Sequence, residues 1–394
     1  MSAINLYFQV HQPFRLKEFS FFHIGRDYEY ENHDLNLSVL NKVADKCYIP
    51  AGKLLLELLQ KHEGKFKLNF SLSGVFLEQI AQFRPDVLEI FKALYQTGYV
   101  EFLSETYYHS LAFHYSEQEF DRQVAKHTEA LQKYLGATPS KVFRNTELIY
   151  SNELAKYLYD KGFEGVLSEG ADNVLETRSP NFVYESIASP ILVLLRNYKL
   201  TDDIAFRFSD KNWKEWPLTV EKYTQFLETE AENGAEVVNL FMDYETLGEH
   251  QWEDTGIFTF FTALVDDIVA HSNLHFATST EVIQQHKSQG TIDAPRSISW
   301  ADLERDLSAW RSNSLQYEAF NKVYDFEKAV LAKNDENLLH TWGKLQTSDH
   351  FYYMSTKQAS DGDVHSYFSP YHSPYDAYLY YLNILSDFEL RIRG

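Results

Sequence analysis

Two stretches of the chain end an apolar strand pattern in closely spaced acids. In Glu236–Trp252, EVVNLFMDYETLGEHQW, an extended backbone puts Asn239, Phe241, Asp243 and Glu245 on one face and Leu240, Met242 and Tyr244 on the other. Two carboxylates therefore line up where the strand stops. Lys141–Asn152, KVFRNTELIYSN, has the same form, with Asn145 and Glu147 on one face of a short strand that leads into a helix near Ser151. The same alternation turns Arg144 to the opposite face, where it reads as a structural ion-pair partner. Acids presented at strand ends can do paired-carboxylate chemistry, of which glycoside hydrolysis is the commonest kind. Taken singly, either stretch is also readable as a solvated acid at the start of the helix that follows.

Positioning such acids takes a scaffold of parallel strands, and the chain alternates strand and helix patterns as parallel α/β proteins do. Strands are expected at Ile4–Val10, Phe66–Ser73, Tyr99–Glu105, Gly165–Ser168, Ile191–Asn197, Ile204–Phe208, Val237–Asp243 and His275–Thr278, besides the short one before Glu147. The first places Ile4, Leu6, Phe8 and Val10 on one face and Asn5, Tyr7, Gln9 and His11 on the other, the pattern of a barrel with a wet mouth. Helices are expected at Ala51–Glu63, from Gly74 to about Gln96, and at Glu117–Leu135, Asn152–Lys161, Leu218–Glu232 and Ile257–His271. Phe14–Tyr48 reads as a long, functional loop, and residues 170–189 as a loop or hairpin over the site. About seven strand–helix units result, one short of a complete barrel. After Gly290 the composition changes, and helical patterns follow at Leu303–Leu331, Asn334–Lys344 and Tyr375–Arg391. A barrel over residues 1–290 and a helical domain over 291–394 are thus expected.

Composition removes several classes of function. With 57 acidic against 36 basic residues the formal charge is −21, and no basic run offers a local exception, so nucleic acid is not an expected partner. No apolar run is long enough for a membrane span. Cys47 is the single cysteine and the first residues lack the pattern of a signal peptide, which makes the cytoplasm the expected compartment. The 29 Phe and 27 Tyr exceed what a core strictly needs and suit a site that stacks on sugar rings.

Five segments carry a resemblance: HQP at His11–Pro13, GVFLEQ at Gly74–Gln79, FRNTELIYSN around Glu147, FMDYETLGEH around Asp243, and LQTSDHFYYM at Leu345–Met354. Their order and spacing resemble the five sequence regions of glycoside hydrolase family 57, over residues 4–354, and most closely its α-amylase-type members. The resemblance implies an incomplete, seven-stranded parallel (β/α) barrel followed by a helical domain that contributes to the site. It also implies a retaining mechanism on α-1,4-linked glucans, with no cofactor and no metal, in which Glu147 is the nucleophile and Asp243 the acid/base. Neither acid departs from the family pattern. Such a pair, about 5 to 5.5 Å apart, needs Glu147 ionised and Asp243 protonated, and the charge of the first raises the pKa of the second.

Around the pair, His11 and Gln12 of the HQP segment, Glu78, and His109 beyond the third strand are candidate substrate-binding residues. Glu245 shares the face of Asp243, and Trp252 could stack on a sugar ring. Asp349 and His350 join this set only through the fifth region. Competing readings are a 4-α-glucanotransferase on the same scaffold, a metal-dependent deacetylase or α-mannosidase-like enzyme using His11, His109 and Asp243, and a non-catalytic glucan-binding protein. No His-x₃-His or HEXXH spacing lies near a strand end, and both acids are present, which favours the paired-carboxylate reading.

Overall fold

The computed structural model describes residues 1–271 and 273–394. Its strands are β1 (Ser2–Val10), β2 (Leu68–Leu72), β3 (Val100–Phe102), β4 (Val142–Phe143), β5 (Gly165–Glu169), β6 (Val183–Ser186), β7 (Ser189–Arg196), β8 (Val237–Asp243), β9 (Leu274–Phe276) and β10 (Thr291–Ile292). β1 is central: it pairs in parallel with β8 along seven residues, with β2 at its end and with β9 at its start. β3 extends the sheet beyond β2, and β4, β5 and β7 form a second parallel run. Ser104 joins the two runs, giving its N–H to Val142 (3.1 Å) and accepting from the N–H of Arg144 (2.8 Å). The circuit closes between β7 and β8, where the Asn197 N–H reaches the Asn239 carbonyl at 2.9 Å. The result is an α/β fold, an incomplete parallel barrel whose wall contains β1, β2, β3, β4, β5, β7 and β8, followed by a helical C-terminal region.

The alternation in β1 sorts its side chains as the sequence predicts. Ile4, Leu6, Phe8 and Val10 enter the layer between sheet and helices, whereas Ala3 and Tyr7 meet Leu103, Leu167 and Phe241 in the barrel interior. Polar groups on that inner face are paired with one another. The amide of Asn5 donates to Asn239 at 2.9 Å, that of Asn69 to Asn5 at 2.7 Å, and that of Asn239 to the Leu195 carbonyl at 2.9 Å. A fully bonded amide ladder costs little to bury and ties four strands, β2, β1, β8 and β7, together.

Several local expectations are corrected. Ile204–Phe208 is not a strand but the end of the helix Tyr198–Ala205 and the turn after it. Asn197 caps that helix by accepting from the Leu200 N–H, and burial of Leu200 and Ile204, four residues apart, follows the helical period. The stretch Phe14–Tyr48 is a loop only to Asn32, which caps the helix His33–Val43; a π-helical turn, Ala44–Tyr48, leads from there into Ile49–His62. Pro85 splits the helix expected after Gly74 into Gly74–Phe83 and Pro85–Gln96. Residues 170–189 hold a short helix, Asp172–Leu175, and the hairpin that the sequence allowed, which is part of the sheet: β6 pairs antiparallel with β7 and carries β10 on its other edge. Leu303–Leu331 becomes helical only from Ser314, where Asn313 forms a capping box with Gln316.

The C-terminal helices, among them Glu336–Leu345 and Pro374–Arg393, do not form a core of their own. Trp342, Phe351 and Ile384 belong to the same apolar cluster as Phe143, Val166 and Val193 of the barrel wall. The contact falls on the loops that follow the strands, where Ser110 bridges to Thr347 and the His109 carbonyl accepts from Ser348 at 3.0 Å. No described helix is long and apolar enough to cross a membrane.

Candidate active site

β4 is only two residues long, and the chain leaves it in a 3₁₀ turn, Thr146–Leu148. Glu147 and Leu148 both take left-handed backbone angles, φ 55° and 50°. Such conformations are unfavourable for residues with a side chain and persist where the surroundings enforce them. Here Thr146 donates to the Ser110 carbonyl at 2.7 Å and Asn145 to the Ile149 carbonyl at 3.1 Å. The turn aims the Glu147 carboxylate at two donors. His109 Nε2 lies 2.9 Å from one oxygen and Trp300 Nε1 donates to the other at 2.6 Å. Burial would raise the pKa of Glu147, but the bond from His109, its charge, the charge of Arg144 and the Trp300 bond outweigh it and hold the group below its ordinary value.

His109, itself at φ 52°, stands between two carboxylates. Its Nδ1 is 3.4 Å from the fully buried Glu105, which follows β3. Burial opposes the charge on the imidazole, yet the bonds to Glu105 and Glu147 prevail and raise its pKa to about 9. The His11 ring stacks on that imidazolium with centroids 4.1 Å apart. Burial, reinforced by the charge of His109, lowers the pKa of His11 against the pull of Asp349. Both its nitrogens are engaged, Nδ1 with Ser73 at 2.7 Å and Nε2 with Asp349 at 3.1 Å. Ser73 also caps the helix Gly74–Phe83, so one hydroxyl ties the first region to the second.

Asp243 is the last residue of β8, level with Gln9 of β1. Among the described residues its carboxyl makes no hydrogen bond, and burial followed by the charge of Glu147 raises its pKa to about 6, against the opposing pull of Arg144, His109 and Arg196. Two residues on, Glu245 accepts from the Tyr48 hydroxyl and sits 3.5 Å from the Gln12 amide. Burial and the charge of Asp243 push it up to about 8. Tyr48 reaches it from the π-helical turn, a feature that often marks functional sites.

The sequence profile described as Glycosyl hydrolase family 57 matches residues 5–295. A Methanocaldococcus jannaschii protein named "Putative alpha-amylase" is 44% identical over 404 residues, covering 99% of this chain and 85% of its own. The chain belongs to glycosyl hydrolase family 57. Among solved structures, a GH57 branching enzyme from Thermococcus kodakaraensis matches with a TM-score of 0.69 and 14% identity, over 91% of this chain and 86% of that one. A 4-alpha-glucanotransferase from Thermococcus litoralis matches at 0.65 and 18%, over 89% of this chain but 56% of that one. At these identities the structural likeness shows the fold alone.

In this family 57 chain the candidate residues separate into three groups. His11, Gln12, His109, Glu147, Asp243, Glu245 and Asp349 are linked through hydrogen bonds, ring stacking or mutual charge. Glu78 lies where barrel and helices meet, bonded to Tyr107 (3.1 Å) and His340 (3.0 Å) with Lys344 at 3.6 Å; although buried, it is drawn down to about 2 by these partners. Tyr107 in turn lies flat on Gly74, where a Cβ would stand 2.1 Å from its ring. The other two candidates stand apart from this network. His350 turns away into the helical region, its Nε2 3.1 Å from the Lys344 carbonyl and its ring beside Tyr381, and burial lowers it to about 4. Trp252 is 57% exposed, with the Lys46 amine 4.7 Å from its ring centre.

Two neighbours of the acids were missed and a third was misplaced. Glu105 is an acid at a strand end, so the signal used for Glu147 and Asp243 could have found it. Arg144 was assigned to the wrong face, because the extended alternation fails once the chain turns after Asn145. Trp300 carries no local signal: it sits in an irregular segment, and only the tertiary fold brings it to Glu147.

Proposed function

We propose that this family 57 enzyme acts on α-1,4-linked glucans by a retaining, two-step displacement in which Glu147 is the nucleophile and Asp243 the acid/base. The observation that carries the reading is the opposite treatment of the two carboxyls. Glu147 is hydrogen-bonded and held below its ordinary pKa, while Asp243 makes no hydrogen bond among the described residues and, by burial and that neighbouring charge, keeps its proton to about pH 6. In the first step a Glu147 oxygen bonds to the anomeric carbon, the glycosidic C–O bond breaks, and the Asp243 proton passes to the leaving oxygen. In the second, Asp243 takes the proton of the incoming hydroxyl as that oxygen attacks the same carbon and the ester to Glu147 breaks. His11, Gln12, His109, Glu245 and Asp349 surround the pair with polar groups suited to sugar hydroxyls.

The donor chemistry supports this over a metal-assisted reaction. Both nitrogens of His11 and of His109 are engaged by protein partners, so neither has a free lone pair to share with Asp243 on an ion. A mechanism-based 5-fluoroglucosyl fluoride should label Glu147, detected by peptide mass, and activity should survive exhaustive chelation. Labelling elsewhere, or loss of activity restored by zinc, contradicts the reading. The relative named as an amylase supports hydrolysis, and transfer to a second glucan on the same scaffold is the alternative. Maltoheptaose decides between them: only shorter products mean water is the acceptor, and longer ones mean transfer.

A further inference from the structure

Arg144 is a charged group of the site to which the two-carboxyl mechanism gives no part. It is fully buried, and among the described residues its Nε, Nη1 and Nη2 make no hydrogen bond. A cation buried without bonded partners destabilises a fold and calls for a reason. Its position supplies one. The backbone of Arg144 is fixed by its N–H to the Ser104 carbonyl, where β3 meets β4. The guanidinium carbon lies 4.9 Å from the centre of the Trp300 ring, the indole that donates to Glu147 at 2.6 Å. The nearby cations are already committed: His109 lies between Glu105 and Glu147, and Arg196 donates to Glu169, Asp202 and the Phe241 carbonyl. Glu105 Oε1, also buried and unbonded among the described residues, faces the same interior.

We propose that Arg144 is a positioning residue that serves as the shared counter-ion of Glu147 and Asp243, holding one negative charge on the pair through both halves of the reaction. The inference rests on the two-step reading above. Before the first displacement the charge is on Glu147 and the proton on Asp243. After it, Glu147 is an uncharged ester and Asp243 the carboxylate. A fixed cation that bonds to neither can serve each in turn, whereas a guanidinium clamped on one carboxylate would favour a single state. The Arg144 charge favours ionisation of Glu147, Asp243 and Glu105 alike. The other groups facing the pair are Tyr7 and His11 from the β1 side, Glu105 and His109 after β3, Arg196 from β7, Glu245 after β8, and Asp349 and Tyr352 from the helical region. None of these replaces an uncommitted permanent cation.

The test is the pH profile of kcat/KM on an aryl maltooligosaccharide for wild type, Arg144→Met and Arg144→Lys, with Tm measured alongside. In Arg144→Met both limbs should move up by about one pH unit, because each carboxyl loses an opposite charge. Its kcat should fall roughly tenfold or more, with a lower KM as the covalent intermediate accumulates. Its Tm should be largely held, since the guanidinium makes no hydrogen bond among the described residues that the substitution would break. Arg144→Lys, which keeps the charge, should return the limbs most of the way; Arg144→Gln gives the same reading should the methionine variant not fold. If wild type labels on Glu147 but the neutral variants keep its profile and lose only Tm, Arg144 is structural and the inference fails alone. If wild type does not label on Glu147, the inference fails together with the reading beneath it.

Discussion

The ends of β4 and β8 look alike in sequence, an apolar run closed by an acid, yet the fold treats them in opposite ways. β4 stops after two residues and throws Glu147 into a strained turn, where its carboxylate is gripped by His109 and Trp300. β8 runs straight for seven residues and leaves Asp243 at its tip without a hydrogen bond among the described residues. The partners that make the difference are not local: His109 follows β3, and Trp300 comes from the segment after β10. A strand end therefore sets where an acid stands, while its protonation is decided by what other parts of the chain bring to it. The assignment fits the chemistry proposed, since a nucleophile benefits from being held ionised and aimed, and a proton carrier from having no competing bond.

The largest expected effect is at the gripped end. Glu147→Gln should reduce kcat by about 10⁴-fold or more on every substrate, with azide restoring turnover and giving a product of inverted configuration. Asp243→Asn should cost about 10²- to 10⁴-fold on glucans, whose leaving groups need protonation. On activated aryl glucosides the loss should be much smaller, and the azide product retained. Equal losses on both substrate types would erase the distinction drawn between the two acids.

The pH profile probes the same contrast more finely. On the mechanism proposed, activity requires Glu147 ionised and Asp243 protonated, so kcat/KM should rise through a pKa below the ordinary glutamate value and fall again near 6. His109→Asn removes a bond and a positive charge from Glu147, so the acidic limb should move up and the window should narrow. An unmoved limb would mean that His109 does not hold the charge on Glu147. Trp300→Phe keeps the ring on Arg144 but deletes one of the two bonds to Glu147. A loss of about 1 to 1.5 kcal/mol, roughly five- to tenfold in kcat/KM, is expected, again with the acidic limb raised. Smallest of all should be Trp252→Ala, on the β8 side but at the surface, within about 0.5 kcal/mol, or about twofold in kcat/KM. A large loss of affinity for long glucans there would extend the site to Trp252.

Much of the scaffold was legible in the chain itself. The alternation in β1 placed its apolar and polar faces correctly because its outer residues must be buried against helices, a constraint that leaves a period of two in any strand. Glu117–Leu135 is bounded as expected, with Ser116 as cap and Gly136 in the left-handed position after it. The misreadings fall where two local signals overlap or where none exists. Ile204–Phe208 is too short to tell a strand from a helix end, and Trp300 lies in an irregular segment with no periodicity to read.

What the sequence determined by itself is the family to which the chain belongs, the strands of its barrel and the place of the two acids proposed as the catalytic pair. These depend on short-range periodicity and on motifs that stay intact in an unfolded chain. What only the tertiary structure decided is the electrostatic state of those acids. The bond from Trp300 to Glu147 joins residues 153 positions apart, and the contact of His11 with Asp349 joins residues 338 apart. The buried guanidinium of Arg144 acquires its meaning only once β3, β4 and the Trp300 segment enclose it. A charge interacts through space at a strength set by distance and burial, and neither quantity is defined until the chain has folded.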